Sequence, residues 1–239
     1  MSDKPLIFSP INEIIAEIAA GRLVIVADNP DRENEADLVG AASLCTPEMV
    51  NFMAVHARGL ICAPLTAERA EEIDLPQMAS RNREGMKTAF TVSVDAAEGI
   101  TTGISAADRA LTIRLLADPK IGPDAFVKPG HVFPLQGVSD GVLRRAGHTE
   151  AALDLAEFAG LPRAAVICEV MNDDGTMARV GELGAYQEKH VLKACTIAQL
   201  IEYRRRSEKL VLREQTILMP TDWGEFDCHL YRISTDGSH

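Results

Sequence analysis

Short apolar runs alternate with helix-patterned segments along almost the whole chain. Residues 23–28, 59–64 and 164–170 have the length and composition of buried strands. Helix-start signals separate such runs, for example Ser105 ahead of a helix predicted to end near Ala117. Alternation of this kind predicts helices enclosing a sheet. We therefore predict an α/β fold with three layers, α/β/α, built around a mixed sheet.

Size and composition limit the possible functions. The 239 residues suffice for one large or two modest domains, and a formal net charge of −11 argues against a nucleic-acid surface. No apolar run approaches the roughly 20 residues of a membrane helix, and residues 1–5 lack a signal-peptide pattern. The five cysteines include no C-x-x-C pair, so reduced thiols are expected. We expect a cytoplasmic protein without nucleic-acid or membrane partners.

A charged loop directly follows the first apolar run. Its residues 31–37 include four carboxylates, Asp31, Glu33, Glu35 and Asp37, together with Arg32. Such a cluster repels itself unless positive charge joins it, and a divalent cation or a cationic partner can add to what Arg32 supplies. Two interpretations stay open: a solvated charged turn, or a cation-recruiting part of a functional site.

A second candidate lies at a predicted helix start. We expect Thr149 to cap a helix that ends at Gly160, which presents free backbone N–H groups and the positive end of the helix dipole. Arg145 adds a cation nearby, and Gly147 permits close approach of the backbone. The segment therefore predicts a small-anion site. A capped helix with an incidental arginine is the alternative.

Three further features carry candidate chemistry. His131 lies in the proline- and glycine-punctuated segment 128–134, which predicts a rigid loop; a lone histidine there is either a packed residue or a catalyst. Glu169 is the one charged residue of the strand predicted at 164–170, so it is either structurally paired or an acid/base group. Residues 76–87 are polar, turn-rich and basic, and predict a mobile lid.

These residues together indicate a metal-assisted enzyme acting on a small phosphorylated substrate. Three carboxylates and a histidine can hold a hard divalent ion, with water and substrate oxygens completing its coordination. A nucleotide-binding enzyme of related architecture is an alternative, which the absence of a glycine-rich phosphate loop disfavours. The residue types alone do not name the reaction.

Five segments, in order across about 200 residues, resemble the 3,4-dihydroxy-2-butanone 4-phosphate synthase family of riboflavin biosynthesis. They are Asp-Arg-Glu-Asn-Glu-Ala-Asp at 31–37, Thr-Gly-Ile-Ser-Ala-Ala-Asp-Arg at 102–109, Pro-Gly-His-Val-Phe-Pro-Leu at 129–135, Arg-Ala-Gly-His-Thr-Glu-Ala at 145–151 and Cys-Glu-Val-Met-Asn-Asp-Asp-Gly-Thr-Met-Ala-Arg at 168–179. Each segment alone is a weak signal, whereas their shared order is specific.

The resemblance implies a lyase that converts D-ribulose 5-phosphate to L-3,4-dihydroxy-2-butanone 4-phosphate and formate. It implies a required Mg²⁺, which Mn²⁺ can replace, and a homodimer with active sites at the subunit interface. It makes Glu33 and His148 the metal ligands. The implied catalytic residues are His131, Glu169, Asp37 and Glu35. The implied substrate contacts are Arg32, Glu33, Asp37, Cys62, Thr102, Asp108, Arg145, Ala146, Gly147, His148, Thr149 and Glu169.

The implied reaction needs a base that removes a carbon-bound proton and a cation that stabilises the developing enolate. Its later steps need repeated proton transfers. Glu33, Asp37, His131 and Glu169 each remain candidates for the base. A catalytically inactive dimeric scaffold or binding protein that keeps the fold is the alternative function.

Two departures from the family pattern stand out. Ala36 replaces a glycine, which would add strain if that backbone needs a positive φ. Residues 218–226, followed by Tyr231 and Arg232, resemble the opening strands of GTP cyclohydrolase II. We predict a synthase domain at residues 1–209 and a non-catalytic tail at 210–239 that is loosely ordered or docked as a small appendage.

Overall fold

The predicted alternation of helices and strands is present in the structure, a computed structural model that describes residues 4–233. Residues 1–3, and the last six residues of the predicted tail, lie outside the described range. The helices are α1 Ile11–Ala19, α2 Pro47–Phe52, α3 Ala67–Glu72, α4 Ala106–Ala117, α5 His148–Phe158, α6 Gly184–His190 and α7 Ile197–Ser207. The strands are β1 Val24–Ala27, β2 Ala36–Ala41, β3 Cys62–Leu65, β4 Val94–Ala96, β5 Phe126–Gln136, β6 Ala165–Glu169, β7 Ala194–Thr196, β8 Val211–Thr221 and β9 Gly224–Ile233.

Seven strands form one mixed sheet in the order β4-β5-β3-β6-β2-β1-β7. The pairs β1/β7 and β3/β5 are parallel, and the other neighbours run antiparallel. This confirms the predicted mixed sheet. The neighbouring strands β1 and β2 are buried along their whole length, as expected where helices cover both faces of a sheet.

Two apolar clusters lie on opposite faces of this sheet. Successive side chains of a strand alternate between faces, so Val24 and Val26 join one cluster while Ile25 and Ala27 join the other. Helices α1, α5 and α7 contribute to the first cluster, and α2, α3 and α4 to the second. The predicted α/β/α layering is therefore confirmed.

The rigid loop predicted around His131 is wrong, because His131 lies within the eleven-residue strand β5. Pro129 and Gly130 disfavour a regular strand locally, and the prediction of a loop rested on them. Both fall where the β4–β5 register shifts between Val94 and Asp95, and an irregularity of this kind tolerates a residue without an N–H. Gly130 is required there, since a side chain would collide with the backbone of Val94 and Asp95.

Residues 211–233 form an antiparallel hairpin whose two strands pair only with each other in the described chain. One face of the hairpin is apolar and exposed to solvent. The residues of that face are Ile217, Met219, Phe226, Cys228 and Leu230. The division into a domain at 1–209 and a tail at 210–239 remains a prediction.

All five cysteines are free thiols, as predicted. Four of them are buried, and Cys228 on the hairpin is exposed. Between residues 4 and 233, no helix has both the length and the apolar character needed to cross a lipid bilayer.

Val191 ends helix α6 in a strained conformation. Its φ of 54° is left-handed, although its side chain is branched at Cβ and 89% exposed. We expect Val191→Gly to raise the free energy of unfolding by about 1 kcal/mol, because glycine removes the Cβ–carbonyl conflict at no packing cost. Denaturant unfolding measures the change.

The matched opposite change is Gly160→Ala. Gly160 also has a left-handed φ, 73°, and no atoms lie near the position of an added Cβ. We expect Gly160→Ala to lower the free energy of unfolding by about 1 kcal/mol. If Val191→Gly were no more stable than the wild type, the strain assigned to Val191 would be contradicted.

Candidate active site

Strand register places three of the candidate side chains on one face of the sheet. Asp37 of β2 is the direct Cα partner of Glu169 of β6, and Cys62 of β3 is the partner of Ile167. Because residues two apart share a face, Asp37, Glu169 and Cys62 point to the same side. The second oxygen of Glu169, Oε2, accepts a 2.9 Å hydrogen bond from the Leu60 N–H.

The acidic loop links β1 to β2 and folds around Arg32. The Arg32 guanidinium donates to Asp28 at 2.7 Å and to Glu33 at 2.8 Å, so the loop neutralises part of its own charge. Asn34 takes the positive φ of this loop, 55°. Ala36 pairs with Ala27 inside the sheet and has no positive φ, so the expected strain at that position is absent.

The start of helix α5 faces this loop. The helix begins at His148 with Gly147 as its N-cap and no side-chain cap, so the predicted capping role of Thr149 is wrong. Glycine at the N-cap leaves the first helical N–H groups without a side-chain acceptor. His148 Nδ1 lies 3.7 Å from Glu33 Oε2 and 3.8 Å from Asp37 Oδ1. The loop and the helix start therefore meet at one buried imidazole.

Burial and charge shift the protonation of these groups. Burial raises the pKa of the Asp37 carboxyl to about 7, although the charge of His148 lowers it. Burial alone would lower the pKa of His148, but the charge of Asp37 and the polar contact with Glu33 raise it to about 9. The polar contact with His148 lowers the pKa of Glu33. Burial raises the pKa of the Cys62 thiol, which keeps it neutral.

The donor set fits a hard divalent ion with few protein ligands. Asp37 Oδ1 and His148 Nε2 are buried atoms without a hydrogen-bond partner within the described range. No group of three or more His, Cys, Asp or Glu residues in that range is arranged to hold a metal ion, so three carboxylates and a histidine do not act together as direct ligands there. Glu33 and His148 remain as two candidate ligands. Mg²⁺ suits such a site, because it keeps several waters and takes one or two carboxylates.

Several residues that the sequence patterns did not single out support the pocket. Arg179 donates to the Glu33 carbonyl at 2.9 Å and to the Glu35 carboxylate at 3.1 Å. Buried Glu150 accepts from Arg145 at 2.6 Å. Burial raises the pKa of Glu35. The sequence signal that could have identified such residues is a lone carboxylate at the edge of an apolar segment, as at Asp28 and Glu150.

The acidic loop, the start of α5 and the neighbouring strands surround a cavity of about 260 Å³, slightly below the range of roughly 300–1,000 Å³ typical of ligand pockets. The lining residues are Arg32, Glu33, Glu35, Asp37, Cys62, Glu84, Met86, Thr88, Phe90, Leu135, Arg145, His148, Thr149, Ile167 and Glu169. The loop predicted as a basic lid borders the cavity through Glu84 and Met86. Its basic residues Arg81, Arg83 and Lys87 do not line it.

The remaining candidates do not line this cavity. His131, Thr102 and Asp108 form a second group, in which the Asp108 carboxylate accepts from Thr101 at 2.7 Å and from the Gly103 N–H at 3.0 Å. His131 Nδ1 lies 2.7 Å from Asp95 Oδ2. Ala146 and Gly147 belong to the turn before α5 but are not lining residues. The candidate residues of one chain thus fall into two separate groups, the acidic cavity and the His131 group.

The fold and cavity define a class of protein, a three-layer α/β/α scaffold with an acidic, metal-compatible pocket at a helix N-terminus. The family model of 3,4-dihydroxy-2-butanone 4-phosphate synthase matches residues 12–203. The chain therefore belongs to the 3,4-dihydroxy-2-butanone 4-phosphate synthase family.

Relatives and solved structures agree with this membership. The chain is 55% identical over 223 residues to the 3,4-dihydroxy-2-butanone 4-phosphate synthase of Neisseria meningitidis serogroup B, covering 93% of this chain and 61% of the relative. It is 55% identical over 232 residues to the riboflavin biosynthesis protein RibBA of Aquifex aeolicus, covering 96% and 57%. It thus spans about three fifths of the length of these relatives. A solved 3,4-dihydroxy-2-butanone 4-phosphate synthase in complex with two magnesium ions has a TM-score of 0.80 and 45% identity, covering 84% of this chain and 98% of that one.

The buried His148 predicts a pH dependence of the metal-free protein. Its folded-state pKa of about 9 exceeds the ordinary 6.5, so its proton stabilises the fold fully below pH 6.5 and this stability is lost as pH rises through 9. In EDTA, we expect the free energy of unfolding to fall between pH 7 and pH 9. His148→Gln should flatten the decline, and a wild-type profile that is level or rises would contradict the assignment.

Proposed function

We propose that this chain converts D-ribulose 5-phosphate to L-3,4-dihydroxy-2-butanone 4-phosphate and formate, a step of riboflavin biosynthesis. The observation that supports it most directly is the meeting of Glu33, Asp37 and His148 at the N-terminus of α5. Carboxylates, an imidazole and an anion-binding helix start are the groups that a metal-assisted rearrangement of a sugar phosphate requires.

We propose Mg²⁺ as the resident metal, with Mn²⁺ able to replace it and with Glu33 and His148 as protein ligands. When bound, the ion supplies positive charge that stabilises an enolate oxygen. The unpartnered Asp37 Oδ1 and His148 Nε2 and the solved relative with two magnesium ions support this choice. Glu35 borders the same site but is engaged by Arg179.

The chain's own groups have separable tasks in this reaction. Arg145 and the free N–H groups at the start of α5 bind the phosphate, while Arg32 orients the sugar. Asp37 has a pKa of about 7, so it exchanges protons readily near neutral pH. Glu169 is held by the Leu60 N–H and keeps one carboxylate oxygen for the substrate.

We propose that the site is completed by a second copy of the chain. His131, Thr102 and Asp108 lie outside the cavity of their own chain, although the resemblance gives all three a role in the site. In a homodimer, the His131 group of one protomer faces the acidic cavity of its partner. Exposed Ile104 and Val127, close to these residues in sequence, provide apolar surface for such an interface.

Two further proposals concern context. The tail at 210–239 contributes no group to the reaction; in support, the described hairpin at residues 211–233 pairs only with itself, and none of its residues lines the cavity. A cytoplasmic location, without nucleic-acid or membrane partners, is supported by the free thiols and the formal charge of −11.

The direct test is formate release. Purified protein incubated with ribulose 5-phosphate and Mg²⁺ should release formate, EDTA should abolish the release, and added Mg²⁺ should restore it. His148→Ala should reduce kcat by about 10³-fold or more because it removes a metal ligand, while His56→Ala, outside the cavity, should not. No formate from the wild type would sink the function, and turnover that survives chelation would sink the metal assignment.

Paired variants test the shared site. Glu33→Gln and His131→Ala should each be inactive alone, yet co-expression should restore about a quarter of wild-type activity, because half the dimers then contain one intact site. The matched control pairs Glu33→Gln with Glu169→Gln, both in the acidic cavity, and should restore nothing. Failure of the first pair to recover activity would mean that each chain builds its site alone.

A further inference from the structure

Asp95 and His131 make a two-point contact that fixes the imidazole. Asp95 Oδ1 accepts the His131 backbone N–H at 2.9 Å, and Asp95 Oδ2 lies 2.7 Å from the ring atom Nδ1. The Asp95 side chain is 7% exposed and the His131 side chain is 43% exposed. The carboxylate is therefore enclosed, while part of the ring faces outward.

Gly103 closes the other side of this pair. Its φ is +94°, and a Cβ there would collide with the Asp95 carboxylate and with His131 Nδ1. The Gly103 N–H is in turn held by the Asp108 carboxylate at 3.0 Å. The backbone before α4 therefore packs against the contact, which leaves the carboxylate and the ring little room to separate.

We propose that Asp95 is a positioning residue that holds neutral His131 in the Nδ1–H tautomer and so directs an unprotonated Nε2 to the substrate. An ionised carboxylate only accepts hydrogen bonds, so the ring nitrogen facing it carries the proton. The other nitrogen is then the acceptor, which is the form that a general base requires. The inference deepens the proposed function, on which the role of His131 rests.

The proton balance follows from this tautomer. When Nε2 takes a proton from the substrate, the electron pair of the broken bond stays on the substrate and the ring becomes an imidazolium. Asp95 remains ionised and stabilises that imidazolium, and no proton passes to the carboxylate. The proton then returns from Nε2 to a later species, which restores the neutral ring.

The two-point contact makes Asp95→Asn an informative change. The His131 backbone N–H still needs an acceptor, so the amide oxygen takes the place of Oδ1. The amide NH₂ must then face Nδ1, which becomes an acceptor, and the ring proton moves to Nε2. A nearly isosteric substitution is thus expected to invert the tautomer and block proton uptake without emptying the space that Asp95 fills.

The experiment measures tautomer and turnover separately. In protein labelled with ¹⁵N-histidine, the neutral His131 ring, identified by subtraction of the His131→Gln spectrum, should carry its proton on Nδ1 in the wild type and on Nε2 in Asp95→Asn. Formate assays should show kcat reduced by about 10²–10⁴-fold in Asp95→Asn, with KM changed by no more than about two-fold.

Ser93→Ala is the matched control, because the hydroxyl of Ser93, the residue before β4, also contacts β5 by accepting from the Gly130 N–H at 3.1 Å and has no hydrogen bond with the ring. It should leave tautomer and kcat at wild-type values. A wild-type ring protonated at Nε2, or an Asp95→Asn variant with wild-type kcat, overturns the inference. Because the spectrum needs no turnover, an inactive wild type with the Nδ1–H tautomer would overturn the proposed reaction and leave the Asp95 contact supported.

Discussion

A protonated imidazole buried between carboxylates is the interaction on which the acidic cavity depends. Asp37 and Glu33 are brought toward each other by strand register and by the loop around Arg32, and like charges at that range are costly without a cation among them. His148 supplies the cation from the first residue of α5. Binding of the proposed metal would require the same imidazole to lose its proton, so the contact with the carboxylates and the proposed metal site compete for one side chain.

Local sequence signals were sufficient for the layered fold, and they also singled out the residues that meet in the acidic half of the candidate site. The Ser105 cap and the end of α4 at Ala117 were both predicted and are present. Short apolar runs predicted β1, β3 and β6, because a strand that is buried on both faces is apolar along almost its whole length. The acidic loop and the α5 start each carry most of their candidate residues within seven positions, which is why the motifs pointed to them.

Other features depend on contacts between distant segments and left little local trace. The length of β5 depends on its pairing with β3 and β4. Pro129 and Gly130 disfavour a strand locally, so the sequence around them did not predict it. The cap at Gly147 rather than Thr149 reflects how the turn packs against Arg145. Asp95 looks like an ordinary polar strand residue until His131, thirty-six positions later, is placed beside it.

Strand β2 and the loop that joins it to β1 are both limited in length, for different physical reasons. The pairing of β1 with β2 fixes their register from the Ala27–Ala36 pair to the Val24–Val39 pair. Because successive side chains of a strand point to opposite faces, one residue added between Ala36 and Asp37 would turn Asp37 toward the opposite helix layer. The connection between the two strands is limited in another way, because Arg32 must stay beside Asp28 and Glu33 beside His148. Insertions and deletions during evolution should therefore be excluded from both segments, from β2 by its register and from the loop by these contacts.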